Sequence, residues 1–404
     1  MRFILIISSL LLFESSISYS SEIEESLLKK SALLYGYKPA SDINNDFDKQ
    51  KSTLGEKLFK DKALSLNGGT SCQTCHLDDF SSGDGIPNAI GIDGEGDGPQ
   101  RVMNRIGAII PRNTIELWGR GGKDFNAFFW DGRVSIYKDK MFTPFGNRNT
   151  SEDMLTLAVH LPFLEIRELI REDEEISSNY KKENVERALE LYKKITRKII
   201  NKDNYANQIK TIYQIENDDI DFMHIADLLV HFIRDKFKVR DYKFSDFLED
   251  KATLTSNEIK GGLLFYGKAK CAVCHNGPYY SNFKYYSIPF PQAGFGKDGF
   301  GIDFGRFNVT HQSEDLYKFR VPPLLNVNRT RPYSHSGSVY SLKNAIIYHF
   351  DPLRNLDKEN FTDMERVEFT KKLRLSNEIY NIPYLDEEEV NSLISFLETL
   401  EFKD

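Results

Sequence analysis

Cys72-Gln73-Thr74-Cys75-His76 and Cys271-Ala272-Val273-Cys274-His275 repeat one pattern, C-x-x-C-H, and together use all 4 cysteines of the chain. Two thiols at that spacing can add to the vinyl groups of one haem while the adjacent histidine reaches its iron. The pattern predicts two covalent c-type haems, attached at Cys72, Cys75, Cys271 and Cys274 and ligated by His76 and His275. The alternatives are a four-cysteine zinc site, a redox dithiol and a disulfide pair. A zinc site leaves both histidines without a task, and a dithiol does not need them.

An internal echo shows what must position these motifs. Gly55-x-x-Leu58-Phe59 precedes the first and Gly261-x-x-Leu264-Phe265 the second, each reading as a helix that leads into a haem-binding turn. The expected fold is mainly α, with two cytochrome c-like haem domains, long loops and few strands. Between the motifs, Val185, Ala188, Leu189, Tyr192, Ile195 and Ile199 recur at helical spacing, and a second amphipathic run covers Phe222 to Phe232. Gly- and Pro-rich stretches at 83–98 and 288–305 read as long loops over the haems. The expected division is 1–20 signal peptide, 21–240 first domain with a helical insertion, and 241–404 second domain.

Arg2, an apolar run from Phe3 to Phe13 and Ser18-Tyr19-Ser20 have the layout of a secretory signal with a cleavage site, an uncleaved anchor being the alternative. Haem is joined to such motifs outside the cytoplasm, so a periplasmic location is expected. No later segment approaches the ~20 apolar residues of a membrane span, so the mature chain is expected to have none. With 40% hydrophobic and 13% aromatic residues the chain can fill two cores, and its net charge of −7 argues against a nucleic-acid partner. Mild acidity either suits a basic protein partner or only confers solubility.

Further pieces occur in a fixed order: Leu54-Gly55-x-x-Leu58-Phe59, Phe129-Trp130-Asp131-Gly132-Arg133, Gly277-Pro278 after the second haem motif, and Phe319-x-x-Pro322-x-Leu324-x-Asn326-Val327. Thr330-x-Pro332-Tyr333-x-His335-x-Gly337 follows. From about Leu54 onward the chain resembles the bacterial di-haem cytochrome c peroxidase/MauG family. The resemblance implies a peroxide-binding haem in the N-terminal half and an electron-storing haem in the C-terminal half.

Many of the peroxidases place a removable distal histidine about sixteen residues after the first haem histidine. That position here is Ile92, which cannot ligate iron, so the first haem is expected to be open to H2O2 without prior reduction. The family spacing of a proline six residues before a distal glutamate falls on Pro162 and Glu168. Glu168 is the expected catalytic acid/base, with a solvated helix-face glutamate as the alternative. The accompanying family glutamine falls at Ala158, where His160 either compensates or is structural.

The second haem's sixth ligand is expected fourteen residues beyond His335, at His349. Methionine occupies that position in the electron-accepting peroxidases and tyrosine in MauG; the alternatives here are Tyr348 as ligand or a buried structural His349. Trp130 matches the tryptophan between the haems. Asn113, with the carbonyls of Thr330 and Pro332, matches a family Ca²⁺ site. The family arginine after Leu324 is replaced by Leu325.

The resemblance leaves three functions. A MauG-like or MbnH-like enzyme would use H2O2 to oxidise a residue of a partner protein, favoured by Ile92 and His349. A cytochrome c peroxidase would reduce H2O2 with electrons from a small cytochrome. A non-enzymatic di-haem carrier would need both irons six-coordinate, which Ile92 argues against.

Overall fold

The computed structural model describes residues 22–103, 106–137, 140–146, 151–171, 185–202, 204–354, 361–377 and 381–403. The expected signal peptide therefore lies outside the described residues.

Each haem motif follows a helix held against a second helix by a glycine. In the first half, helix Lys49–Lys60 begins at Asp48, whose side chain accepts the Gln50 and Lys51 N–H groups at 2.8 and 2.9 Å. It buries Leu54, Gly55, Leu58 and Phe59 against helix Phe222–Lys236. A Cβ on Gly55 would overlap the Leu228 carbonyl and crowd Phe232. In the second half, helix Ser256–Tyr266 begins with a Thr255/Glu258 capping box and crosses helix Glu387–Glu398. There a Cβ on Gly261 would overlap the Ser392 carbonyl and crowd Phe396. Leu228/Phe232 and Ser392/Phe396 are each one turn apart, so the two crossings are copies of one packing solution.

The Phe222–Lys236 helix, the second amphipathic run of the sequence, thus closes the first module. The intervening helices Val185–Ile200 and Tyr205–Tyr213 cover that module. Ala188, Tyr192, Ile195 and Ile199 are buried as the periodicity predicts, but Leu189 is 51% exposed and Leu191 takes the inward position. The helix at 22–34 packs on the second module. Leu28 meets Gly262, Lys29 pairs with Asp250, and the Tyr35 carbonyl accepts the Gly277 N–H at 2.8 Å.

Strands are short, as expected of this fold class. Ala127–Phe128, Val134–Tyr137 and Lys140–Phe142 form an antiparallel sheet; Tyr285–Tyr286 pairs with Phe319–Arg320, and Phe295–Gly296 with Gly299–Phe300. One apolar core runs through both modules. Trp118 of the first meets Phe402 of the second at 4.9 Å between ring centres, and Phe125 meets Tyr279 at 5.2 Å.

Candidate active site

The two C-x-x-C-H motifs fold alike. Short 3₁₀ turns at Cys72–Thr74 and Cys271–Val273 let His76 and His275 donate their backbone N–H groups to the first cysteine's carbonyl, at 3.0 and 2.8 Å. The ring Nδ1 of His76 then donates to the Ser82 carbonyl at 2.7 Å, and that of His275 to the Tyr280 carbonyl at 3.0 Å. A carbonyl can only accept, so each bond places the proton on Nδ1 and leaves Nε2 as the ligand atom. Burial pulls both imidazoles down to about 4, which keeps them neutral as a metal ligand must be.

The cysteines fit haem better than the alternatives. None is in a disulfide. Burial raises the Cys72, Cys75 and Cys271 thiols to about 12, far from the reactive thiolate of a redox dithiol. Nor do three or more His, Cys, Asp or Glu side chains converge as a cluster for a bare metal ion among the described residues.

His349 lies in the turn after the short helix Leu342–Ile347, its Nδ1 donating to the Ala345 carbonyl at 2.8 Å. Its ring faces that of His275, with centroids 6.4 Å apart. Two imidazoles sharing one metal, each bonded at about 2 Å with its centre roughly 1 Å behind the nitrogen, stand about 6 Å apart. The spacing suits one iron between them. Tyr348 packs on Phe290 at 5.4 Å, and the same ring meets His349 at 5.7 Å.

Ile92 is 1% exposed and donates its N–H to the Arg167 carbonyl at 2.9 Å. A Cβ on the neighbouring Gly91 would overlap that same carbonyl, so loop and turn lie in backbone contact. Glu168 is next in this turn; it is half-buried, lies on no helix, and its charge helps to raise the Cys72 and Cys75 thiols. The structure thus brings Glu168, Ile92 and the first haem-attachment turn together. His160 is buried between Tyr192 and Phe222, its Nδ1 donating to the Thr156 carbonyl at 2.7 Å, so it is a packed helix-end residue.

Trp130 is buried at the junction of the modules. Its indole N–H donates to the Asn113 carbonyl at 3.0 Å, and the Asn113 N–H donates to the His335 carbonyl at 2.8 Å. The His335 ring stacks on Phe319 at 3.8 Å and bonds Gln292 at 2.9 Å. The Asn113 side-chain amide lies 2.7 Å from the Pro332 carbonyl, while the Thr330 hydroxyl is turned to Val327. Leu325 is core.

A buried ion network around Trp130 was not part of the sequence reading. Arg112 bridges Asp131 at 2.7 Å and Asp303 at 2.8 Å, and Arg133 holds Asp131 at 2.8 Å and Glu165. Burial alone would raise both aspartates. The adjoining guanidiniums outweigh it, holding Asp131 well below the usual range and Asp303 at about 2. Asp131 and Arg133 belong to the Phe-Trp-Asp-Gly-Arg motif and could have been suspected; Asp303, on a loop without periodicity, gave no sign.

A family model described as di-haem cytochrome c peroxidase matches residues 49–253, about half of the chain. The chain belongs to the di-haem cytochrome c peroxidase family. It is 24% identical over 384 residues to the cytochrome-c peroxidase IdrP1 of Pseudomonas sp. (strain SCT), covering 89% of this chain and 83% of the relative. It is also 24% identical over 361 residues to the methylamine utilization protein MauG of Methylorubrum extorquens, covering 88% and 79%. The fold matches the crystal structure of a MauG-like protein associated with microbial copper homeostasis, with TM-score 0.63 at 22% identity over 91% of this chain and 93% of that one. As a member of this family the protein is a peroxide-dependent di-haem oxidoreductase whose partners are H2O2 and a cytochrome or protein. No helix among the described residues is long and apolar enough to cross a membrane.

Proposed function

We propose that this protein is exported to the periplasm and uses H2O2 to oxidise a residue of a partner protein, in the manner of MauG. Covalent haems would be held by Cys72, Cys75 and His76 and by Cys271, Cys274, His275 and His349. The observation that carries this reading is the His275–His349 pair, 6.4 Å between ring centres, together with Ile92 where a removable ligand would stand. Two nitrogen ligands favour the ferric and higher states over ferrous, making the second haem a poor acceptor from a high-potential cytochrome.

Bound haem supplies peroxide activation and the storage of oxidising equivalents. The chain supplies the rest. Glu168 would take the proton from one oxygen of H2O2 and deliver it to the other as the O–O bond breaks and water leaves. Ile92, tied to Arg167, fills the ligand position with an inert apolar side chain. Trp130, with its indole N–H committed to Asn113, would relay electrons between the modules, and the Arg112–Asp131–Asp303 network fixes the motif that carries it. Asn113 and the backbone carbonyls of Thr330 and Pro332 would hold a Ca²⁺ that ties these loops together.

The competing reading, H2O2 reduction with electrons from a small cytochrome, is favoured by the peroxidase names among the relatives. His349→Met decides between the two. On our reading it raises the second haem's midpoint potential, lowers oxidation of the partner protein and leaves or increases turnover with reduced cytochrome. Rapid cytochrome turnover by the unmodified protein would favour the competing reading, and an unchanged potential would remove His349 as a ligand.

A further inference from the structure

Two pairs of arginines, three of the four buried and Arg133 nearly so, stand where the modules meet, and they are satisfied in opposite ways. Arg112 and Arg133 face Asp131, Asp303 and Glu165, and these carboxylates, outweighing burial, raise the proton affinity of both guanidiniums. Arg120 and Arg320 are 4% and 1% exposed and share one carboxylate, Glu116, which lies 3.2 Å from Arg120. Arg320 donates Nε to the Phe129 carbonyl and Nη1 to the Val321 carbonyl, each at 3.1 Å. Its Nη2 is buried and finds no partner among the described residues. Both guanidiniums are pushed down by burial, Arg320 to about 10 with the Arg120 charge adding to the effect. An unmet charged donor in the interior is strongly unfavourable, so an anion that the chain does not provide is expected there.

The position of the pair indicates which anion. The Arg120 charge reaches His76 and lowers its proton affinity. Arg320 donates its backbone N–H to the Trp130 carbonyl at 2.8 Å and stands two residues before Pro322, whose backbone bonds His275. The site therefore lies between the two haem-attachment turns, with one arginine from each module. We propose that Arg320, through Nη2, and Arg120 form a clamp for a propionate carboxylate of a bound haem. The clamp completes the buried charge balance and makes the seating of that haem depend on both modules. The inference rests on the two-haem reading but not on the choice of oxidised partner.

The test compares Arg320→Gln, Arg120→Gln and Arg320→Lys with Arg112→Gln, a buried arginine already matched by carboxylates. Haem content is counted first by pyridine haemochrome; fewer than two haems in the unmodified protein overturns the underlying reading. Resonance Raman propionate-bending bands and the midpoint potential of each haem are then recorded. Arg320→Gln and Arg120→Gln should shift the bending band and lower the potential of the same haem, since a nearby cation favours Fe(II). The spin state of that haem identifies which of the two is clamped. Arg320→Lys should keep most of the potential but not the band, because an ammonium lacks the planar fork. Arg112→Gln should lower the melting temperature and leave the bands unchanged. For variants that do not fold, redox-difference infrared spectra of unmodified protein labelled with ¹⁵N-arginine give a separate readout, in which isotope-sensitive guanidinium bands are expected. Two haems with bands and potentials unmoved in both glutamine variants, or no arginine contribution to the difference spectrum, would overturn the clamp and leave the two-haem reading standing.

Discussion

The backbone N–H of Ile92 meets the Arg167 carbonyl at 2.9 Å, fastening the loop at the expected removable-ligand position to the turn that carries Glu168. The backbone of Ile92 is thus fixed against that turn. Ile92→His should supply the missing ligand. The ferric first haem would become low-spin, and its reaction with H2O2 would require prior reduction. Optical and EPR spectra of the oxidised variant check this; a variant still high-spin and directly reactive would mean that residue 92 does not face the iron.

Glu168→Gln keeps the shape of the turn but removes the exchangeable proton. The rate of reaction with H2O2, followed by stopped-flow, should fall by about 10²–10⁴-fold, while the spectrum of the resting protein is unchanged. A rate within a few-fold of the parent would return Glu168 to the status of a solvated turn residue.

The paired crossings make Gly55→Ala and Gly261→Ala equivalent experiments in the two modules. Each added methyl meets a carbonyl that cannot move without displacing its helix, a cost of about 1–3 kcal/mol. Thermal melts should drop for both, roughly 2–4 °C per kcal/mol for a unit the size of one module. Unaltered melting of either variant would contradict the close approach.

These crossings were half visible in the sequence. The Gly-x-x-Leu-Phe echo announced two equivalent helices, because a glycine before an apolar pair at helical spacing is a local signal. What Gly55 meets was not visible, since Leu228 lies far along the chain, and the amphipathic run from Phe222 to Phe232 could be read as a helix but not as the partner of Lys49–Lys60. The repeated C-x-x-C-H pattern was legible as a fixed spacing, whereas the approach of His349 to His275 was expected only through the family resemblance. The Arg112–Asp303 bond and the Arg120–Arg320 pair join loops more than a hundred residues apart, and no periodicity marks them. Leu189 was misplaced for a simpler reason: it stands one residue after Ala188, off the face that Ala188, Leu191, Tyr192, Ile195 and Ile199 share.

Asp303 gives the junction a defined acid limit. Its folded value of about 2 lies below the ordinary 3.8, the Arg112 charge outweighing burial. The stabilisation this shift represents is fully present above pH 3.8 and is lost as the pH falls toward 2. The stability difference between the parent and Asp303→Asn should be constant above about pH 4, on the order of 2 kcal/mol, and shrink below it. Denaturant titrations across that range check it, and a difference independent of pH down to 2 would remove Asp303 as the charged partner of Arg112.

The central claim is that the two haems differ in ligation: the first, on His76, open on the side of Ile92 and Glu168, and the second closed by His275 and His349. EPR of the fully oxidised, unmodified protein tests it most directly. The account predicts one high-spin and one low-spin ferric haem, the high-spin one reacting with H2O2 without added reductant. Two low-spin signals in the oxidised protein would contradict it, because a sixth ligand would then occupy the place assigned to peroxide.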